Sequence, residues 1–277
     1  MKNRWKLVLA LLLSTGVVNA AYVTIGNAGN AADTANGGIY GDVAYTYNIS
    51  ATEVTIAEFQ ASGAGDGDEN YWSAVGTAAP ASNVSLYEAM KYCNYLTTAD
   101  ITKGYYSSSD GGVTYTVNAL LSHDAYAAAN GLTYFVPTED EWYKAAYYTG
   151  SGAGGYSLYA NGTGTAPVAG TDVNYSGSTA AWVVGTGTEE QNGTDDMMGN
   201  VWEWMENSAG VIRGGCNDVT EASLRSSARI GYSPSNEDRV VGFRVVGVVP
   251  EPATAGLLGI SALVLYGLRR AKNHYRS

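Results

Sequence analysis

Four stretches of the chain carry a pattern of apolar and polar positions clear enough to name an element. Residues 43–50, VAYTYNIS, alternate in the manner of a half-buried strand, and TIAEFQAS from Thr55 predicts a short helix with Thr55 as its cap. Ser85-Leu-Tyr-Glu88 has the form of a capping box, in which Ser and Glu satisfy each other's backbone donors. Leu86, Ala89, Met90, Cys93 and Leu96 follow at helical spacing, so Cys93 falls on an apolar face as a small buried hydrophobe. Thr138 and Glu141, after Pro137, form another box and turn Trp142, Ala145 and Ala146 inward. Beyond them helix signals stop. Short apolar pieces at 181–185, 211–213 and 242–248 stand between Gly-, Ser- and Thr-rich intervals such as 149–170 and 176–193, with no repeat period. The pattern predicts one α+β domain with much irregular chain.

Both ends depart from this pattern. Lys2, Arg4 and Lys6 precede an apolar run that closes on Val18-Asn19-Ala20, the order of a secretory signal peptide cut after Ala20. The run is shorter than the roughly 20 apolar residues that span a bilayer. Residues 21–39 then form a lead-in. At the other end, 249–277, Pro250-Glu251-Pro252 stands before an apolar segment, 253–268, and the basic Arg269, Arg270 and Lys272, a stop-transfer layout with its positive flank left in the cytoplasm. The segment is short for a permanent anchor and suits a transient one in the inner membrane. This order resembles the PEP-CTERM sorting signal of Gram-negative bacteria. The resemblance implies a cut near the PEP motif by an exosortase-type membrane protease, and delivery to the periplasm, outer surface or extracellular matrix.

Charge narrows the partners. Over 21–249 the chain holds 8 Lys and Arg against 25 Asp and Glu, a net of −17. That sign excludes nucleic acid, whose phosphates need cations, and points to divalent cations, basic groups or neutral glycans. Two cysteines, Cys93 and Cys216, do not make a disulfide scaffold. Two histidines cannot build an imidazole metal site: His274 is in the tail, and His123, alone in a loop-like segment, reads as structural or solvated.

Read in order, YNISATEVTIAEF (47–59), VSLYEAMKYCNYL (84–96), FVPTEDEWYKAA (135–146), DDMMGNVWEW (195–204), VIRGGC (211–216) and GFRVV (242–246) resemble the formylglycine-generating enzyme, or sulfatase-modifying factor, family across 40–248. The resemblance implies a single domain of the formylglycine-enzyme type, a loop-rich variant of the C-type lectin fold. The residues themselves allow Asp196 and Glu203, bracketing a glycine turn, to join backbone carbonyls around Ca²⁺. They equally allow the two carboxylates to be spent on turn amides or on Arg213 or Arg244. The family motif implies the first: calcium on the side chains of Asp196 and Glu203 and the carbonyls of Gly199 and Val201.

The family's founding activity oxidises a sulfatase cysteine with O₂ and copper(I), a soft ion that two thiolates hold. In that enzyme both thiolates follow the GGS motif. Here the matching stretch, NDVTEASLRSSAR, has no cysteine, and Cys216 replaces the motif's serine. Copper is therefore not expected. The leading reading is an exported, surface-associated domain that binds a protein or glycan in a groove lined by Cys216, Asn217, Arg225 and Arg229. Two alternatives stay open. One is a formylglycine-generating oxidoreductase acting on sulfatase cysteines; the other is a thiol-dependent activity at Cys216, exposed by two glycines and activated by Arg213. A Cys93–Cys216 disulfide is also open, because the family's partner for the helix cysteine falls on Val245. Arg225, Arg229 and Arg244 have internal ion pairs as their default in so acidic a chain. The two signals make a prediction for intact mass: the exported protein begins at Ala21 and ends near the PEP motif. A mass that includes 253–277 would rule out processing.

Overall fold

The computed structural model describes residues 21–117, 121–150 and 155–250. The expected signal peptide, 1–20, and the apolar segment 253–268 lie outside the described residues. Among the described residues no helix is long and apolar enough to cross a membrane.

Local capping chemistry sets the first two helices and the last. In α1 (Ile56–Ser62), α2 (Leu86–Thr98) and, after α3 (His123–Asn130), α4 (Glu139–Tyr147), the cap hydroxyl of Thr55, Ser85 or Thr138 accepts the N3 amide. The N3 carboxylates of Glu58, Glu88 and Glu141 accept the cap amides in return, at 3.0, 2.9 and 2.8 Å. The α2 face falls as its spacing predicts, with Leu86, Ala89, Met90 and Cys93 buried and Leu96 partly so. The expected loop around His123 is instead α3. Its buried stripe is only His123 and Ala127, four residues apart, too narrow for a periodicity signal to register.

Among the described residues, eight short strands, β1 (Tyr22–Ile25), β2 (Tyr47–Ser50), β3 (Thr133–Phe135), β4 (Trp202–Met205), β5 (Val211–Arg213), β6 (Ile230–Gly231), β7 (Val241–Gly242) and β8 (Val246–Val248), form two sheets. One is antiparallel in the order β1-β2-β8-β3, and the other runs β6-β5-β4-β7 with β4 and β7 parallel. The expected strand at 43–50 is only its second half, because β1 ends at Ile25 opposite Tyr47 and leaves 43–46 no partner. In the second sheet Glu203 pairs across to Arg213 on one side and Gly242 on the other. The WEW and RGG motifs are therefore sheet neighbours.

Tyrosine and tryptophan build the core, since the chain has only 3 Phe against 22 Tyr and 6 Trp. Their polar tips end on backbone or on buried acids: Trp204 Nε1 donates to the Val84 carbonyl at 2.6 Å and Tyr147 Oη to that of Leu224 at 3.1 Å. Gly199 is where the backbone has no choice. Its φ is +76°, and a Cβ there would meet the Asn174 carbonyl oxygen at 2.3 Å. Gly199→Ala is accordingly expected to cost about 2–3 kcal/mol, against about 1 kcal/mol for removing the α2 cap with Ser85→Ala. Urea unfolding of both variants tests this ordering, and equal losses would refute it.

Candidate functional site

The C-terminal GFR motif brings Arg244 into the middle of the domain. Its Nε and Nη2 donate to the two oxygens of Glu203 at 2.6 and 2.7 Å, and Nη1 caps the carbonyls of Ser50 and Ala51 at 3.1 and 3.0 Å. Trp142 of α4 adds its indole N–H to Glu203 at 2.7 Å. Neither partner is exposed to solvent. Around this pair stand three further buried acids. Burial pushes the carboxyls of Glu53 and Glu190 well above the usual range and that of Asp196 to about 6. Glu53 accepts Asn200 Nδ2 at 3.0 Å.

Against this geometry the calcium ligand set can be checked residue by residue. Gly199 and Val201 lie on the turn as expected, and Asp196, at φ +61°, accepts the Gly185 amide at 2.6 Å. Glu203 does not fit. Both its oxygens are engaged by a guanidinium, and one takes an indole as well. A cation on Glu203 would face Arg244 directly.

The expected ligand groove does not assemble. Gly214 and Gly215, at φ +96° and +86°, turn the chain inward, and Cys216 is 1% exposed. Its thiol donates to Asp218 at 3.1 Å, and burial raises its pKa to about 12. Arg213 does not activate it: the guanidinium is committed to Glu139 and to the carbonyls of Ser226 and Ala228, with its Cζ 4.6 and 5.1 Å from the ring centroids of Tyr40 and Tyr143. Asn217 is buried and donates to the Ser178 carbonyl at 2.6 Å. Arg225 pairs with Glu221 and Arg229 with Glu139, so both arginines take their default roles. Cys93 and Cys216 are separate free thiols, each buried.

A different constellation forms at the start of α3. The His123 ring lies stacked on Phe135, centroids 3.8 Å apart, with Nδ1 3.0 Å from Glu141 and Nε2 3.0 Å from Glu206. Tyr45 Oη donates to Glu141 at 2.8 Å, Tyr106 Oη donates to Glu206, and the edge of Tyr105 closes the ring's side. Burial alone would lower the His123 pKa. The two carboxylates outweigh it and hold the imidazole protonated, at about 10. The network borders two cavities. Glu206 lines a cavity of about 460 Å³ with Tyr87, Met90 and Tyr115, and a second of about 340 Å³ with Tyr45, Tyr105 and His123. The sequence showed Glu141 only as a cap and missed Glu206 and Tyr106. The available signal was weak: one histidine in a segment flanked by tyrosines.

Residues 40–248 match the model of the sulfatase-modifying factor enzyme 1-like domain. Among solved structures, Treponema denticola variable protein 1 superposes with a TM-score of 0.59 at 21% identity, covering 84% of this chain and 96% of that one. CarF superposes with a TM-score of 0.59 at 22% identity, covering 85% of this chain and all of its own, 100%. At these identities the likeness carries the fold. No curated protein matches the chain.

The protonated histidine gives a pH signature. Its folded pKa, about 10, lies above the ordinary 6.5, so its stabilisation is complete below about pH 6.5 and is lost as the pH rises toward 10. The stability advantage of wild type over His123→Gln is expected to shrink steadily across that window in urea titrations. An advantage that does not change with pH would refute a charged imidazole.

Proposed function

Because the chain belongs to the sulfatase-modifying factor family yet lacks that family's pair of copper-binding thiols, we propose that it is a binding protein rather than a formylglycine-forming oxidase. One observation carries the reading: the single thiol at the expected place, Cys216, is buried, hydrogen-bonded to Asp218 and held as the protonated form by its surroundings. Copper(I) needs two thiolates that approach one ion, and neither cysteine of this chain is exposed. The same burial argues against a nucleophilic Cys216, because the thiolate is the reactive species.

The remaining parts of the reading come from the two ends of the sequence. The protein is exported by residues 1–20, held transiently in the inner membrane through 253–268, and cut by an exosortase-type protease near Pro250–Pro252. It then serves at the cell surface or in the surrounding matrix, where its ligand is a protein or a glycan. The strong negative charge keeps it soluble and away from nucleic acid.

The experiment is direct. Purified protein is expected to bind no stoichiometric Cu(I) and to leave a cysteine-containing sulfatase peptide unchanged under O₂, as read by bicinchoninate competition and by an aldehyde-reactive hydrazide. Stoichiometric copper with aldehyde formation would overturn the binding-protein reading.

A further inference from the structure

The two cavities beside Glu206 lie outside everything the family resemblance assigns. The larger, of about 460 Å³, is within the size range of small-molecule pockets. Its wall is mixed: Leu86, Met90 and Pro234 are apolar, Tyr87 and Tyr115 bring rings, and Asn207 and Ser208 sit beyond the end of β4. Its one charged lining residue is Glu206; no Lys or Arg among the described residues lines it, and Lys91 Nζ lies over the Tyr115 ring, 5.9 Å from its centroid. The smaller cavity shares Glu206 and Val117 with it, so the two meet at this carboxylate.

Glu206 is held rather than free to turn. Tyr106 and His123 both bond its Oε2, and its side chain is only 6% exposed. Oε1 has no hydrogen-bond partner among the described residues. The imidazolium between Glu141 and Glu206 supplies one positive charge to two carboxylates, which leaves one net negative charge on the trio. Three features thus coincide: a carboxylate fixed in orientation, an acceptor oxygen to spare, and a ring-lined space beside it. A preorganised acceptor of this kind binds a donor without the entropic cost of ordering itself. The field of the surrounding domain, acidic by a net of −17 over 21–249, favours positive ligands and repels anions from such a cleft.

We propose that this cleft binds the ammonium or guanidinium group of a small organic cation, with Glu206 as its counter-ion and Tyr87 and Tyr115 against its apolar body. The cation comes either as a free amine or as a basic side chain on a peptide, and both present the same chemistry to the site. Ring faces add attraction for a cation as well as for its hydrocarbon part. The proposal rests on the binding-protein reading, and its failure would leave that reading standing, since only copper-dependent aldehyde formation overturns the latter.

The test uses the full chain and a matched set of probes: benzylammonium, benzyl alcohol and benzoate, with N-acetylated Gly-Lys-Gly and Gly-Arg-Gly amides as the peptide source. Calorimetry or ligand-detected NMR is expected to show saturable benzylammonium binding that weakens with added salt. Benzyl alcohol should bind at least about ten-fold more weakly and benzoate not at all, the difference of a single charge-assisted contact. Tighter binding of the peptides than of benzylammonium assigns the site to a basic side chain; the reverse assigns it to free amines. Glu206→Gln should remove the preference for the cation. Because that change also touches the His123 network, Ser208→Lys at the exposed rim provides a second variant, which leaves the network intact and should weaken the cation at least ten-fold by repulsion. Equal binding of cation, alcohol and anion would overturn the proposal. So would undiminished cation binding in Ser208→Lys, or the absence of saturable binding by any cation up to about 10 mM.

Discussion

The fold depends on the buried pair between Arg244 and Glu203. Glu203 sits on β4, in the WEW motif, and Arg244 follows β7 near the end of the domain, so the pair closes the second sheet across 41 residues of chain. The guanidinium then reaches the first sheet by capping Ser50, the last residue of β2, and Ala51 after it, and the loop before the glycine turn through the Asp195 carbonyl at 2.9 Å. Trp142 ties α4 to the same carboxylate. Two sheets, a helix and a loop are thus referred to one ion pair. Burying it costs desolvation, which its two-point geometry and the extra donors offset; leaving either charge alone costs about 3–5 kcal/mol. The pair therefore specifies the arrangement more than it adds net stability, and it leaves no capacity on Glu203 for another cation.

Charge balance inside the domain follows from that use of Arg244. With one guanidinium for Glu53, Glu190, Asp196 and Glu203, the surplus acids keep protons or hydrogen-bond donors instead of counter-ions. The second buried cluster solves the same problem differently. At α3 the cation is itself a titrating group, and His123 stays charged because Glu141 and Glu206 face both of its nitrogens. The α3 cluster borders open space at Glu206, which lines both cavities, so there buried charge can act on something outside the protein.

What could be read in the sequence was whatever is local. The boxes at Thr55, Ser85 and Thr138 predict three helices because cap and partner lie three residues apart, and the face of α2 follows from spacing alone. The order of motifs carried the family and, through it, the fold. The His123 network could not be read that way, since its partners lie 18 and 83 residues distant and Glu141 already had a sufficient local role as a cap. The groove failed for a related reason. Alignment says which residues occupy a motif, but the direction of Cys216 is set by two positive-φ glycines and the direction of Arg213 by Tyr40, Tyr143 and Glu139, contacts invisible from neighbouring letters.

Those glycines also hold the family frame around residue 216. Gly214 accepts the Gly199 amide at 2.9 Å and Asn217 donates its amide to the Asn200 carbonyl at 3.0 Å, stitching the RGGC segment to the GNVWEW turn. Leu224 packs over the same segment, 2.7 Å from where a Cβ on Gly215 would stand. These are backbone and packing constraints, indifferent to whether residue 216 is serine or cysteine, since either small side chain fills the buried position and donates to Asp218. A thiol in this place is thus retained at no structural cost and gains no reactivity from it. The frame holds turn geometry, whereas a copper(I) site would need two thiolates, and the stretch after Cys216, NDVTEASLRSSAR, contains no cysteine.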